Sequence, residues 1–247
     1  MDNTPAKTPG DRLREVEQSL FFIVGCGRSG TTLLQSILIS HPDVAIASET
    51  KFASKFPAFT PRLRGLEDPE IFEQAIQAAI ADQRKRNVPF DEPRLRELAA
   101  DAPRTWDGLF LALLGAVADK RERSRVGEKS PVHTPLVGRL SESFPNAKFI
   151  HLVRDPRAVM RSRLNVGFAA RSLGTEIPRW TEAADMHRQH AERLGPSRYL
   201  LVRYEDLVTW LEPTVRTICQ FLELDMRPEM LRRNERDTMG FVPGSVV

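Results

Sequence analysis

Two stretches of this sequence carry the residue types that gather around phosphate-like anions. The first is Gly25-Cys26-Gly27-Arg28-Ser29-Gly30-Thr31-Thr32, which follows the apolar run Phe21 to Val24. A strand that turns through glycines into a helix aims backbone N–H groups and the positive end of the helix dipole at one point, a geometry that suits a tetrahedral anion. In the nucleotide triphosphatase loop G-x-x-x-x-G-K-[ST], the Lys reaches the β- and γ-phosphates and the hydroxyl holds Mg²⁺. Here Thr31 stands at the Lys position, which argues against ATP. Arg28 lies inside the loop instead, and its planar guanidinium can grip two oxygens at once. The binding residues expected from this loop are Gly27, Arg28, Ser29, Gly30, Thr31 and Thr32.

The second stretch runs from Asn146 to Leu164, NAKFIHLVRDPRAVMRSRL. An apolar strand ends at Val153, and Arg154-Asp155-Pro156 opens a helix, with Pro suited to the first turn. Arg154 thus sits at the carboxyl end of a strand, where ligands of α/β sheets bind. Ser162 follows about two helical turns later and stays near the same face. Together they would hold a second phosphate. The alternative is that Arg154 pairs with Asp155 or another carboxylate and Ser162 is solvated.

The elements that must position these residues alternate. Strands are expected at Phe21–Val24, Val44–Ile46, Arg125–Glu128, Lys148–Val153 and Tyr199–Val202. Helices are expected at Thr31–Ser40, Pro135–Ser143, Pro156–Leu164, Trp180–Leu194 and Pro213–Leu222. Residues 1–18 read as polar and loosely ordered, and the Pro-bearing stretch 51–69 as loop. Residues 69–122 read as helices in three pieces, broken near Pro89, Pro93 and Pro103. This pattern predicts a single α/β domain over 1–247: a three-layer fold with a central parallel sheet, helices on both faces and residues 51–122 as an inserted helical cap.

Composition sets outer limits. The chain has 247 residues, 41% of them hydrophobic, enough for a real core. Lys and Arg number 36 against 33 acidic residues, a net +3 that is too small to argue for nucleic acid. No apolar run is long enough to span a membrane, and the N-terminal residues do not read as a secretory signal. Cys26 and Cys219 are too few for a disulfide framework, so a reduced, cytoplasmic protein is the expectation.

The loop GCGRSGTT, the segment KFIHLVRDPRAVMRS and the later YEDL (Tyr204 to Leu207) together resemble the sulfotransferase family, which uses 3′-phosphoadenosine 5′-phosphosulfate (PAPS). The P-loop-type fold of that family is implied over roughly residues 20 to 225. The resemblance implies that the glycine loop binds the 5′-phosphosulfate and that Arg154 and Ser162 bind the 3′-phosphate. It places Tyr204 near the cofactor. PAPS has no γ-phosphate and requires no metal, which fits a loop without the Lys. HPDV (His41 to Val44) followed by Glu49-Thr50, and GEKSP (Gly127 to Pro131), resemble the branch of tyrosylprotein sulfotransferases and bacterial relatives. By that resemblance Glu49 is the catalytic base, Lys129 stabilises the transferring sulfuryl group, and Arg28 assists. His133 is the reserve base, and Glu128 is a partner for Lys129 or for a substrate cation. The family also has a basic, glycine-bearing C-terminal segment that closes over the 3′-phosphate. Gly240 and Gly244 stand at its opening, and no Lys or Arg follows Arg236, so this segment is expected to be incomplete.

The expected reaction is therefore transfer of a sulfuryl group from PAPS to a hydroxyl or amine, leaving 3′,5′-ADP. The acceptor is a small molecule, carbohydrate or peptide, drawn into a pocket built largely from residues 51–125, with Phe52, Phe56, Phe59, Trp106, Arg62, Arg64, Arg84, Lys85 and Arg86 available. The competing readings are a P-loop small-molecule kinase, with Asp155 as a Mg²⁺ ligand, and a non-catalytic nucleotide-binding member of the family. Oligomeric state is not encoded in any motif.

Overall fold

The computed structural model describes residues 8–59, 65–164 and 173–232. The calls on Arg62, Arg64, Arg236, Gly240 and Gly244 lie outside them. Five short segments form the strands: β1 (Phe21–Gly25), β2 (Val44–Ser48), β3 (Arg125–Lys129), β4 (Lys148–Val153) and β5 (Tyr199–Arg203). All neighbours pair in parallel, in the order β2-β3-β1-β4-β5. β1 is buried along its whole length, as a strand covered on both faces must be.

The helices are α1 (Pro9–Ser19), α2 (Thr31–Leu38), α3 (Phe52–Phe59), α4 (Pro69–Lys85), α5 (Glu92–Asp101), α6 (Trp106–Lys120), α7 (Val137–Ser143), α8 (Pro156–Leu164), α9 (Leu173–Arg198, broken at Gly195), α10 (Tyr204–Thr209) and α11 (Leu211–Leu222). A 3₁₀ turn over Pro131–Leu136 leads into α7. Asp68, Asp91 and Thr105 cap α4, α5 and α6, so the breaks in this segment fall where polar caps and prolines put them. Pro93 lies inside the first turn of α5 and opens that helix rather than ending one.

Two sequence expectations give way. Residues 9–19 are ordered: Thr8 and Asp11 form a capping box, Pro9 takes the first helical turn, and buried Arg12 bonds Asp119 at 2.7 Å. Residues 52–59 are helix rather than loop, because Phe52 and Phe56, one turn apart, both bury against the core. Within 51–122, α6 lies on β2 and β3 and closes one face of the sheet, with α5 packed on it and α4 outside α5.

The 3₁₀ turn and α9 continue the α6 layer across β1, β4 and β5, while α2 packs on β1 and α11 on β5. Right-handed crossovers put α2, from the leftward β1-to-β2 connection, on the opposite face from the helices of the rightward ones. All five carboxyl ends open on one edge of the sheet. The register sets Ser48 beside Lys129 and Gly25 beside Leu152, so the segments after β1, β2, β3, β4 and β5 converge there.

Candidate active site

The glycine loop is built as its spacing requires. Gly30 adopts φ 94° and hands the chain to α2 without a side-chain cap, leaving the first-turn N–H groups of that helix to face the loop's concavity. Thr31 is buried at the first helical position. Arg28 has φ 74°, a left-handed conformation that is costly for a residue with a Cβ and is common where a loop serves a ligand. The Ser29 hydroxyl is buried with no hydrogen-bond partner among the described residues. Gly27 packs under Arg163, whose guanidinium lies 3.7 Å from the Cys26 sulfur.

The second anion motif meets the first. Arg28 Nε donates to Ser162 Oγ at 3.0 Å, and Arg154 donates to the Arg28 carbonyl at 3.3 Å. Arg154 lies over the Tyr204 ring, 4.0 Å from its centroid, and the same ring lies against Gly30. Arg154 does not pair with Asp155. That carboxylate bonds Arg157 at 2.6 Å, and this contact, with the N–H of Arg157, pulls its pKa down to about 2. The Arg154 Nε is buried without a partner among the described residues. Loop N–H groups, Ser29, Arg28, Arg154, Ser162 and Tyr204 thus surround one region with donors and an aromatic face. That set fits a nucleotide carrying phosphate at two positions.

The Glu49–Lys129 ion pair lies at the same edge. Glu49 N–H donates to the Lys129 carbonyl at 2.8 Å, and Lys129 Nζ donates to Glu49 Oε1 at 2.8 Å. The Lys129 side chain is 4% exposed and the Glu49 side chain 44%, so the ammonium is held from beneath and the carboxylate faces outward. His133 differs from its expected reserve role. It has no exposed surface, and its Nδ1 lies 3.0 Å from Glu128. Glu128 is likewise fully buried and is partnered by His133, Ser130 and Thr50 rather than by Lys129 or solvent. An acidic residue inside a parallel strand, at Arg125-Val126-Gly127-Glu128-Lys129, was the sequence signal that Glu128 has a specific partner.

Several residues named for the acceptor pocket are engaged in other contacts, and the Phe59 side chain, Arg62 and Arg64 lie outside the described ones. Phe52 stacks on Phe110 at 4.8 Å and Phe56 on Trp106 at 5.2 Å, inside the core. Arg84 pairs with Glu92, and Arg86 with Asp82 at 2.8 Å. A cavity of about 460 Å³ opens beside Gly25, Cys26 and Gly27, walled by Pro131 and Val132 after β3 and by Arg163, Arg179 and Met186 of α8 and α9.

A model of the sulfotransferase family matches residues 21–228, which span the loop, the Glu49–Lys129 pair and the Arg154 segment. The chain belongs to the sulfotransferase family. It is 28% identical to a protein-tyrosine sulfotransferase of Drosophila melanogaster, covering 89% of this chain and 41% of that protein. It is 28% identical to protein-tyrosine sulfotransferase 2 of Gallus gallus, covering 89% and 55%. The chain therefore spans about half the length of the curated relatives it matches. Among solved structures, the sulfotransferase domain of the Synechococcus PCC 7002 olefin synthase superposes with TM-score 0.61 at 26% identity, covering 90% of this chain and 78% of that one. The sulfotransferase domain of the curacin biosynthetic pathway shares the fold, with TM-score 0.58 at 20% identity over 92% and 81%.

Proposed function

We propose that this sulfotransferase-family chain moves a sulfuryl group from PAPS to a hydroxyl or amine acceptor. The observation that carries the reading is the junction of the two anion motifs, with Arg28 bonded to Ser162 and Arg154 bonded to Arg28. Loop and Arg154 segment together match a donor phosphorylated at both its 5′ and 3′ positions. The acceptor oxygen attacks sulfur in line, the sulfur–oxygen bond to the 5′-phosphate breaks, and 3′,5′-ADP leaves. Glu49 takes the acceptor's proton. Lys129 and Arg28 offset charge that builds on the peripheral and bridging oxygens, the part of group transfer that positioned cations serve best. The acceptor enters beside Gly27 and Val132, through the cavity that flanks the loop. Similarity to protein-tyrosine sulfotransferases makes a peptide tyrosine the first acceptor to test, followed by phenols, carbohydrates and small alcohols.

A kinase reading fares worse on particular residues. Thr31 replaces the phosphate-reaching Lys, and the Asp155 carboxylate, the expected Mg²⁺ ligand, is engaged by Arg157. The test is thermal melting with 3′,5′-ADP and with ATP–Mg²⁺, followed by transfer of labelled sulfate from PAPS to the acceptor panel. Stabilisation by 3′,5′-ADP well above that by ATP–Mg²⁺ is expected. Equal or inverted stabilisation overturns the donor assignment, and binding without transfer to any acceptor leaves a nucleotide-binding protein.

A further inference from the structure

Glu49 and Lys129 belong to different strand ends, and something must hold those ends in step. The backbone shows how much holding is needed. Glu49 has φ 54° and Lys51 φ 52°, so two residues with side chains flank Thr50 in the left-handed region. Such conformations persist only where surrounding contacts fix them. Thr50 between them is completely buried, and its hydroxyl donates to Glu128 Oε1 at 2.7 Å.

Glu128 also gathers the other strand end. Ser130, next to Lys129, donates its hydroxyl to the same Glu128 oxygen, and the Ser130 oxygen accepts the Lys51 N–H at 3.2 Å. The second Glu128 oxygen meets His133 Nδ1 at 3.0 Å, at the start of the 3₁₀ turn. From outside, Gln83 of α4 donates to the Thr50 carbonyl at 3.2 Å. Burial alone would raise the Glu128 carboxyl, but the His133 charge and the hydrogen bonds from His133, Ser130 and Thr50 outweigh it and hold the pKa below the ordinary value. A carboxylate with both oxygens satisfied by fixed donors is a rigid hub.

We infer that Glu128 is a positioning residue: through Thr50 and Ser130 it fixes the strained turn that presents Glu49 to Lys129. It touches neither donor nor acceptor. The inference rests on the sulfuryl-transfer reading for its kinetic consequence, but its geometric content stands separately.

Thr50→Val keeps the volume and deletes the hydroxyl, and Thr50→Ser restores the hydroxyl without the methyl. If Glu128 acts through Thr50, Thr50→Val lowers kcat by about tenfold or more, the scale on which small misplacements of catalytic groups are felt. KM for both substrates and affinity for 3′,5′-ADP stay near wild type, and Thr50→Ser recovers most of the loss. Unchanged kcat in Thr50→Val overturns the inference, as does a kcat loss matched by an equal loss of 3′,5′-ADP affinity. A crystal structure of Thr50→Val supplies a readout free of catalysis. Displacement of Glu49 from Lys129 is expected. Retention of the 2.8 Å contact and of both left-handed residues overturns the hub. If wild type transfers no sulfate while the variant structure shows the pair displaced, the hub stands and the function fails.

Discussion

At the scale of the residue, the side chains of Glu49 and Lys129 share a hydrogen bond but differ in what they can do. Lys129 is sunk at the end of β3, whereas the Glu49 carboxylate is half-exposed, and the proposed roles follow from that difference: the lysine under the transferring group, the carboxylate toward an incoming hydroxyl. Glu49→Gln keeps the shape and removes the proton acceptor. Its turnover on a neutral alcohol should fall by roughly two to four orders of magnitude, the usual contribution of a general base, with 3′,5′-ADP binding nearly intact. Lys129→Ala should also lose turnover, by removing charge rather than a base. Assays with a phenol ionised at the assay pH separate them, since it should rescue Glu49→Gln and not Lys129→Ala. Normal turnover of Glu49→Gln on a neutral alcohol would remove Glu49 from the role, and buried His133, bound to Glu128, is not poised to replace it. The loop and the Arg154 segment were legible because their chemistry is local: glycines, a guanidinium and a helix start lie within a few residues. The Glu128 hub was not, because Thr50 and Glu128 stand 78 positions apart and meet only through the β2–β3 register.

At the scale of the element, the glycine loop and the start of α10 are packed directly against each other. The Tyr204 ring occupies the space a side chain at Gly30 would need: a Cβ there would lie 2.3 Å from Tyr204 Cδ2. The positive φ of Gly30 adds backbone strain to any substitution. Gly30→Ala should therefore push Tyr204 and the Arg154 guanidinium above it out of place, and tilt the start of α2. Isothermal titration should show 3′,5′-ADP affinity reduced by about tenfold or more, the loss of one charge-assisted contact. Wild-type affinity in the variant would mean that this contact is incidental to binding. Four of the five strands were readable as short, mainly apolar runs, the pattern expected of a strand buried on both faces, whereas β3, RVGEK, carries charge at three positions. Elements whose signals conflict were harder. Pro9 reads as a breaker unless Thr8 and Asp11 are recognised as a cap, and Phe52 and Phe56 carry a helical spacing inside a stretch whose prolines argue for loop. That α6 is a layer of the sheet could not be read from its composition, because a helix apolar on most sides states only that it is buried.

At the scale of the whole molecule, the histidines set the response to acid. His41, His151, His187 and His190 all have pKa values lowered, in each case first by burial. His151 is the extreme, at about 3: it is walled in by β4, β5 and α9, with His187 and His190 adding like charge and the Tyr199 hydroxyl 2.6 Å from its Nδ1. Burial raises the Tyr199 hydroxyl in turn, so that group stays neutral across the range in question. The sign follows from proton counting. In the unfolded chain these imidazoles titrate near the ordinary value of about 6.5, so below that pH the unfolded state binds protons that the native state refuses. Stability is fully present above about pH 6.5 and falls as pH drops toward the native values, by about 1.4 kcal/mol per pH unit for a group as thoroughly buried as His151. Glu128, with its pKa held below the ordinary carboxylate value, loses its contribution only at lower pH, so the first loss on acidification belongs to the histidines. Urea unfolding of wild type should show a falling midpoint between pH 7.5 and 5, expressed as about one proton or more taken up per molecule on unfolding in the lower half of that window. His151→Gln replaces the imidazole with a side chain that stays neutral and can still accept from Tyr199. Its stability at pH 7.5 will differ from wild type for packing reasons, but its slope with pH should be shallower. Identical slopes for the two proteins would show that His151 takes up its proton in the native state as readily as in the unfolded chain.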